Sequence, residues 1–191
     1  MGEKVFKRSY LFLYMAKEDL VKGLFMEDCV VAPSSDLTRD WHQQSRFGEL
    51  QESKFLYSLV EGLYLLEKKR LLIVDGRGKE LDFDAYLHKV RRRNKEFWVN
   101  YMVYKDMRDR GFIVKTALKF GAEFRVYDRG IKPGEDHAKW ILYTVHESNP
   151  FTWHDFSAKN RVAHSTKKKL LIGVVDDEGE VTYYEVGWIR P

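Results

Sequence analysis

The sequence predicts a mixed α/β (α+β) protein of two small domains. Three observations lead there. Apolar residues recur at helical spacing in separate stretches. Short β-branched and aromatic runs lie between and after them. Midway, Arg91-Arg92-Arg93-Asn94 breaks the pattern with charge and no apolar residue. The 191 residues permit one domain or two small ones at roughly 100–200 residues per domain. The charged stretch sets the expected joint, giving domains 1–93 and 94–191.

The elements follow in order. Phe6 to Met15 and Cys29-Val30-Val31 read as strands, and Pro33-Ser34-Ser35-Asp36 is turn chemistry. Ser45 to Glu49 carries a further glycine ahead of a helix. From Lys54 to Lys68, Phe55, Leu59, Leu63 and Leu66 fall on one helical face. Leu71 to Val74 is a strand closed by Asp75-Gly76. Asp82 can cap a helix from Phe83 to Arg93. Phe97, Trp98, Tyr101, Tyr104 and Met107 line a second helix, which Gly111 stops. The C-terminal half then alternates as strands at Phe112–Lys115, Glu123–Tyr127, Trp140–Val145, Leu170–Val175 and Val181–Ile189, with a helix over Thr152–Lys167. A strand-rich half carrying two long helices is a layered α/β domain.

Composition excludes several classes. Hydrophobic residues at 44% supply a core, which argues against disorder. The net charge of +4 is mild: it permits an anionic partner without demanding one. One cysteine, Cys29, rules out a disulfide framework and a cysteine-rich zinc site. No apolar run approaches the roughly 18 residues of a membrane span. The run Tyr10 to Ala16 follows Lys7-Arg8, but Lys17-Glu18-Asp19 comes next instead of a cleavage site. The expectation is therefore a cytoplasmic protein with no membrane partner. The six histidines form no HExxH pair, and there is no phosphate-binding GxxxxGK[ST] loop and no GxSxG elbow. Gly76-Arg77-Gly78 is turn chemistry, and neither a metal site nor a cofactor is expected.

Three places invite a chemical reading. His137 follows the polar loop Lys132-Pro133-Gly134-Glu135-Asp136 and precedes an apolar strand. Accessible yet held by a rigid element, it suits a general acid or base; otherwise it is a surface histidine of a hairpin. Tyr127 ends the preceding strand, so the two flank one loop; its plainer reading is an aromatic cap on the core. Lys167-Lys168-Lys169 sits where a helix hands over to a strand, as either a solvated run or an anion site.

Together these places resemble the tRNA-intron endonuclease family, the archaeal tRNA-splicing endonucleases. The resemblance rests on Tyr104 to Gly130, His137 in EDHAKW, Arg161 to Asp176, the helix Ser58 to Leu66 and the tail Tyr183 to Pro191. It implies a small N-terminal assembly domain and a restriction-endonuclease-like C-terminal domain with a mixed sheet flanked by helices. It implies a catalytic trio of Tyr127, His137 and Lys168. The reaction it implies is metal-independent attack of a ribose 2′-OH on the adjacent phosphorus at a bulge-helix-bulge of precursor tRNA, leaving a 2′,3′-cyclic phosphate and a 5′-OH. Tyr127 would take the 2′-OH proton, His137 would protonate the leaving oxygen, and Lys168 would stabilise the phosphorane. Arg161, seven residues before Lys168, matches the arginine with which the family pinches a bulged base. Trp188 is either the matching aromatic or an edge-strand tryptophan. Lys115, Lys119 and Arg129 are expected phosphate contacts.

The resemblance also implies assembly. The terminal strand would pair with its copy in a second subunit, which covers an exposed edge. The turn Asp176, Asp177, Glu178, Gly179, Glu180 would dock into another subunit, unless it is an ordinary solvated hairpin. A homotetramer is the simplest result, and a heterotetramer with a structural subunit is the alternative. Two rival classes stay open: a non-catalytic RNA-binding or structural subunit, and a metal-dependent nuclease using Asp128, Glu135 or Asp136.

Overall fold

The computed structural model describes residues 20–187 and residue 189. The strand expected at Phe6–Met15 and the candidate Trp188 lie outside those residues. The chain divides into two compact units, with the division between Tyr86 and Leu87.

In the first unit, β1 (Val21–Phe25) turns back antiparallel onto β2 (Cys29–Pro33). The stretch read as a turn at Pro33–Asp36 instead opens a helix, α1 (Asp36–Ser45). Ser35 caps it: its Oγ accepts the Thr38 N–H, while Thr38 Oγ1 accepts the Ser35 N–H at 2.8 Å. Thr38 is the one buried residue of α1, so apolar periodicity could not reveal the helix. β3 (Glu49–Gln51) pairs with β4 (Lys54–Ser58). The expected helix over Lys54–Lys68 is thus corrected in its first five positions. Phe55 and Tyr57 alternate inward as a strand does, and α2 (Leu59–Glu67) begins only after Ser58. A reciprocal cap fixes that start: Glu61 N donates to Ser58 Oγ, and Ser58 N donates to Glu61 Oε2 at 3.0 Å. β5 (Leu71–Val74) and β6 (Glu80–Leu81) flank a turn held by Asp75, which accepts the Arg77 and Lys79 amides. α3 (Phe83–Arg91), which runs across the division into the second unit, starts where Asp82 accepts the Ala85 N–H at 2.8 Å.

Among the described residues the first unit's sheet runs β3-β4-β2-β1-β5-β6, with β1 and β5 parallel. Its core holds Val30, Phe55, Tyr57, Leu63, Leu65, Ile73 and Tyr86, all at most 1% exposed. Helix α2 lies so close to β2 that a Cβ at Gly62 would stand 2.7 Å from Val30 Cγ2 and 2.8 Å from the Tyr86 hydroxyl. That hydroxyl donates to Leu59 O at 2.9 Å.

The second unit contains α4 (Phe97–Asp109), β7 (Ile113–Ala117), β8 (Ala122–Tyr127), β9 (Trp140–His146), α5 (Trp153–Ser165), β10 (Lys169–Val175) and β11 (Val181–Val186). A single 3₁₀ turn, Leu118–Phe120, joins β7 to β8. Among the described residues the sheet order is β11-β10-β9-β8-β7; β9 and β10 are parallel and the other neighbours antiparallel. Parallel neighbours need a crossover, and α5 supplies it. The two helices cover opposite faces. On one, Tyr104 of α4 lies 5.7 Å from Phe124, and Tyr183 donates to Asp106 Oδ2 at 2.9 Å. On the other, Ala163 and Phe156 of α5 pack on Ile141, Tyr143, Leu170 and Ile172. A mixed sheet flanked by helices is the architecture expected of the C-terminal half, and the mixed α/β class holds for the chain.

Candidate active site

The sheet register gathers three residues that are distant in the chain. Val126 is opposite Trp140, and Trp140 is opposite Lys169, across three adjacent strands. Backbone bonds continue the ladder one step outward, from Lys139 N to Val126 O at 2.9 Å and from Lys169 N to Lys139 O at 3.0 Å. Tyr127 therefore ends β8 at the same sheet end where the loop bearing His137 enters β9 and Lys168 enters β10. Alternation places Tyr127 on the same face as Arg125, Ile141 and Leu170, the α5 side. Lys168 belongs to that side too, and Lys169 to the other.

Each side chain is set by local structure. Lys167 has a left-handed backbone (φ 56°), which turns the chain from α5 into β10. For a non-glycine residue that conformation costs roughly 1–2 kcal/mol. It leaves Lys168 half-buried, its N–H donating to Ala163 O at 2.9 Å and its Nζ to Thr166 O at 3.0 Å, with the Phe120 ring centroid 5.9 Å away. His137 is exposed, between a backbone bond to Asp136 Oδ1 and the buried anchor Ala138. Tyr127 is buried, with 5% of its surface exposed.

The loop between Tyr127 and Trp140 is closed at its base by an ion pair, Lys139 Nζ to Asp128 Oδ2 at 2.6 Å. Hydrogen bonds from Lys139 and from the Arg129 N–H hold the Asp128 carboxyl below its ordinary range. Gly130 and Gly134 take positive φ inside this loop, which favours glycine there. The carboxylates of the rival metal-dependent reading have local partners: Asp128 takes Lys139, Glu135 Oε2 takes the Lys132 N–H, and Asp136 Oδ1 takes the His137 N–H. Among the described residues no three His, Cys, Asp or Glu side chains are grouped to hold a metal ion.

The remaining candidates are spread over the second unit. Arg161 is exposed on α5, and Lys119 is exposed on the 3₁₀ turn. Arg129 stacks on Phe112, its guanidinium carbon 4.8 Å from the ring centroid. Lys115 is buried and faces Arg125 across the β7–β8 ladder. Arg125 itself was not singled out from the sequence. Its Nε is buried with no hydrogen-bond partner among the described residues, two positions before Tyr127 on the same sheet face. The alternation in Phe124-Arg125-Val126-Tyr127 was the signal that could have found it.

The acidic turn joins β10 to β11. Asp176 Oδ1 accepts the Glu178 and Glu180 amides at 3.0 and 2.8 Å, and His146 Nε2 lies 3.6 Å from Asp177 Oδ1. Asp177, Glu178 and Glu180 are exposed. Beside the edge strand β11, a cavity of about 490 Å³ is lined by Phe151, Trp153, Phe156, Ile172 and Tyr184 among others. Trp153 is 81% exposed there. Among the described residues no helix is long and apolar enough to cross a membrane.

Comparison with known proteins places this geometry in context. Residues 97–183 match the family described as tRNA intron endonuclease, catalytic C-terminal domain, and residues 21–87 match its N-terminal domain. The chain is 42% identical to a tRNA-splicing endonuclease of Thermococcus onnurineus, over 75% of this chain and 82% of the relative. It is 41% identical to one from Pyrococcus furiosus, over 78% and 85% of the two chains. A third, from Methanothermobacter thermautotrophicus, is 37% identical over 90% of this chain and 99% of its own length.

Proposed function

Since the chain belongs to the tRNA intron endonuclease family, we propose that it is itself a catalytic subunit, cutting precursor tRNA at bulge-helix-bulge junctions through Tyr127, His137 and Lys168. The observation that carries this reading is the meeting of the end of β8 with the starts of β9 and β10 at one sheet end. In this reading a phenol, an imidazole and an ammonium carried by those three chain segments act on one phosphodiester. Tyr127, as the phenolate, accepts the proton of the attacking 2′-OH, and His137, as the imidazolium, gives its proton to the departing 5′ oxygen. Lys168 offsets the charge that builds on the equatorial oxygens. The products are a 2′,3′-cyclic phosphate and a 5′-OH, and no step needs a metal ion.

Bulged nucleotides suit such a site, since they leave the helical stack and rest on flat or cationic side chains. Arg161 serves that contact from α5. Assembly presents two such sites to two bulges: β11 is an edge strand, and the apolar cavity beside it suits burial against a second copy.

The deciding experiment is end-group analysis of the products formed from a model intron RNA in EDTA. Cyclic phosphate and 5′-OH ends are expected. Binding without cutting makes the chain a structural subunit, and activity only with divalent ions moves it to the metal-dependent class.

A further inference from the structure

A polar chain lies across the sheet end on the side away from Lys168. Glu185 of β11 accepts the Trp140 indole N–H through Oε2 at 2.6 Å and the Lys169 ammonium through Oε1 at 2.5 Å. The Lys139 ammonium lies 4.4 Å from the Trp140 ring centroid and pairs with Asp128 at 2.6 Å. Apart from Glu185, every member is a close chain neighbour of the proposed trio. Asp128 follows Tyr127, Lys139 and Trp140 follow His137 by two and three residues, and Lys169 follows Lys168. Glu185 alone comes from a strand that carries no proposed catalytic group.

We infer that Glu185 is a positioning residue: it ties the starts of β9 and β10 together from the edge strand, and so fixes where His137 and Lys168 stand. The inference rests on the trio reading above. Stability does not account for the arrangement. Lys169 and Glu185 side chains are 53% and 40% exposed, and exposed pairs contribute little to folding. Geometry does. The two carboxylate oxygens reach one donor on each of two parallel neighbours, which limits sliding of β9 against β10. Lys168 adjoins Lys169 directly, and its backbone is tied by the Lys168 N–H to Ala163 O just after the left-handed Lys167. The second link, Asp128 to Lys139, holds the Tyr127 side of the loop to the same frame. Since β11 is the edge strand, pairing along it acts on Glu185 directly and passes its effect to two of the three catalytic positions.

The test uses the full-length protein and a bulge-helix-bulge RNA under single-turnover conditions. Glu185→Gln keeps an oxygen for the indole but loses the charge facing Lys169. Its cleavage rate at saturating protein should fall about 10- to 100-fold, the scale of a ~1 Å misplacement. RNA affinity should stay within about threefold, so the loss falls on the chemical step and not on binding. The oligomer mass by light scattering should be unchanged. Combining Glu185→Gln with Lys169→Gln should slow the reaction no further than either change alone, since both open one link. A wild-type rate in Glu185→Gln overturns the inference, and so does a loss that tracks a drop in mass or simply adds to that of Lys169→Gln. His137→Ala, run in parallel, separates the two claims. If it cleaves at the wild-type rate, the trio reading itself has failed. If it is slow while Glu185→Gln is fast, only the positioning role is lost.

Discussion

Three consecutive lysines differ in conformation and burial, and Lys168→Met and Lys167→Gly test whether they also differ in task. Lys168 is half-buried on the α5 side, with its Nζ 5.9 Å from the Phe120 ring centroid. Methionine keeps a side chain of similar length and removes the ammonium. If the ammonium stabilises the phosphorane, its loss belongs with removal of one preorganised donor, about 2.7–4 kcal/mol or roughly 10²–10³ in rate. Ground-state affinity changes little, because one lost phosphate contact alters the salt slope by at most about 0.9. Lys167 is exposed and strained by its left-handed backbone. Glycine there relieves roughly 1–2 kcal/mol, against roughly 0.5–1 kcal/mol of added chain entropy, so stability holds or rises slightly. The assay is single-turnover cleavage at saturating protein, with RNA affinity measured separately. The reasoning is refuted if Lys168→Met cleaves at nearly the wild-type rate while Lys167→Gly is the slow variant.

Other expectations test the frame around the site. Gly62→Ala should destabilise the first unit by about 1–3 kcal/mol in chemical denaturation, because its Cβ meets Val30 and the Tyr86 hydroxyl at 2.7 and 2.8 Å. Asp128 has its carboxyl lowered in the folded state, chiefly by Lys139 and then by the Arg129 N–H. Its contribution is therefore complete above the ordinary value of 3.8 and fades as pH falls through the folded value. The stability gap between wild type and Asp128→Asn should be present at neutral pH and close in acid below 3.8. Trp153→Asp should lower the assembled mass seen by light scattering, since it charges the apolar cavity beside β11; an unchanged mass would take that face out of self-association.

Long apolar periods were readable and polar caps were less so. The helix α4 and the strands β8, β9 and β10 follow from aromatic and β-branched spacing, because each buries a regular row. Helix α1 stayed hidden because only Thr38 of it is buried, and its start depends on a Ser35–Thr38 exchange of hydrogen bonds that apolar pattern does not register. At Lys54–Ser58, Phe55 and Leu59 fit a helical face as well as Phe55 and Tyr57 fit a strand; the Ser58–Glu61 cap decides between them. Resemblance to known proteins pointed to Tyr127, His137 and Lys168, yet their juxtaposition depends on the order β10-β9-β8, which no local pattern reveals. Glu185 was illegible for the same reason, being separated from Trp140 by 45 residues.

The acidic hairpin carries a consequence for the speed of encounter. Because Asp176 already gathers the Glu178 and Glu180 amides, the turn has its shape before any neighbour arrives. If the turn docks on another subunit, as proposed from the resemblance, the ordering entropy of its shape was settled during folding, and long-range attraction can guide the collision without a slow rearrangement afterwards.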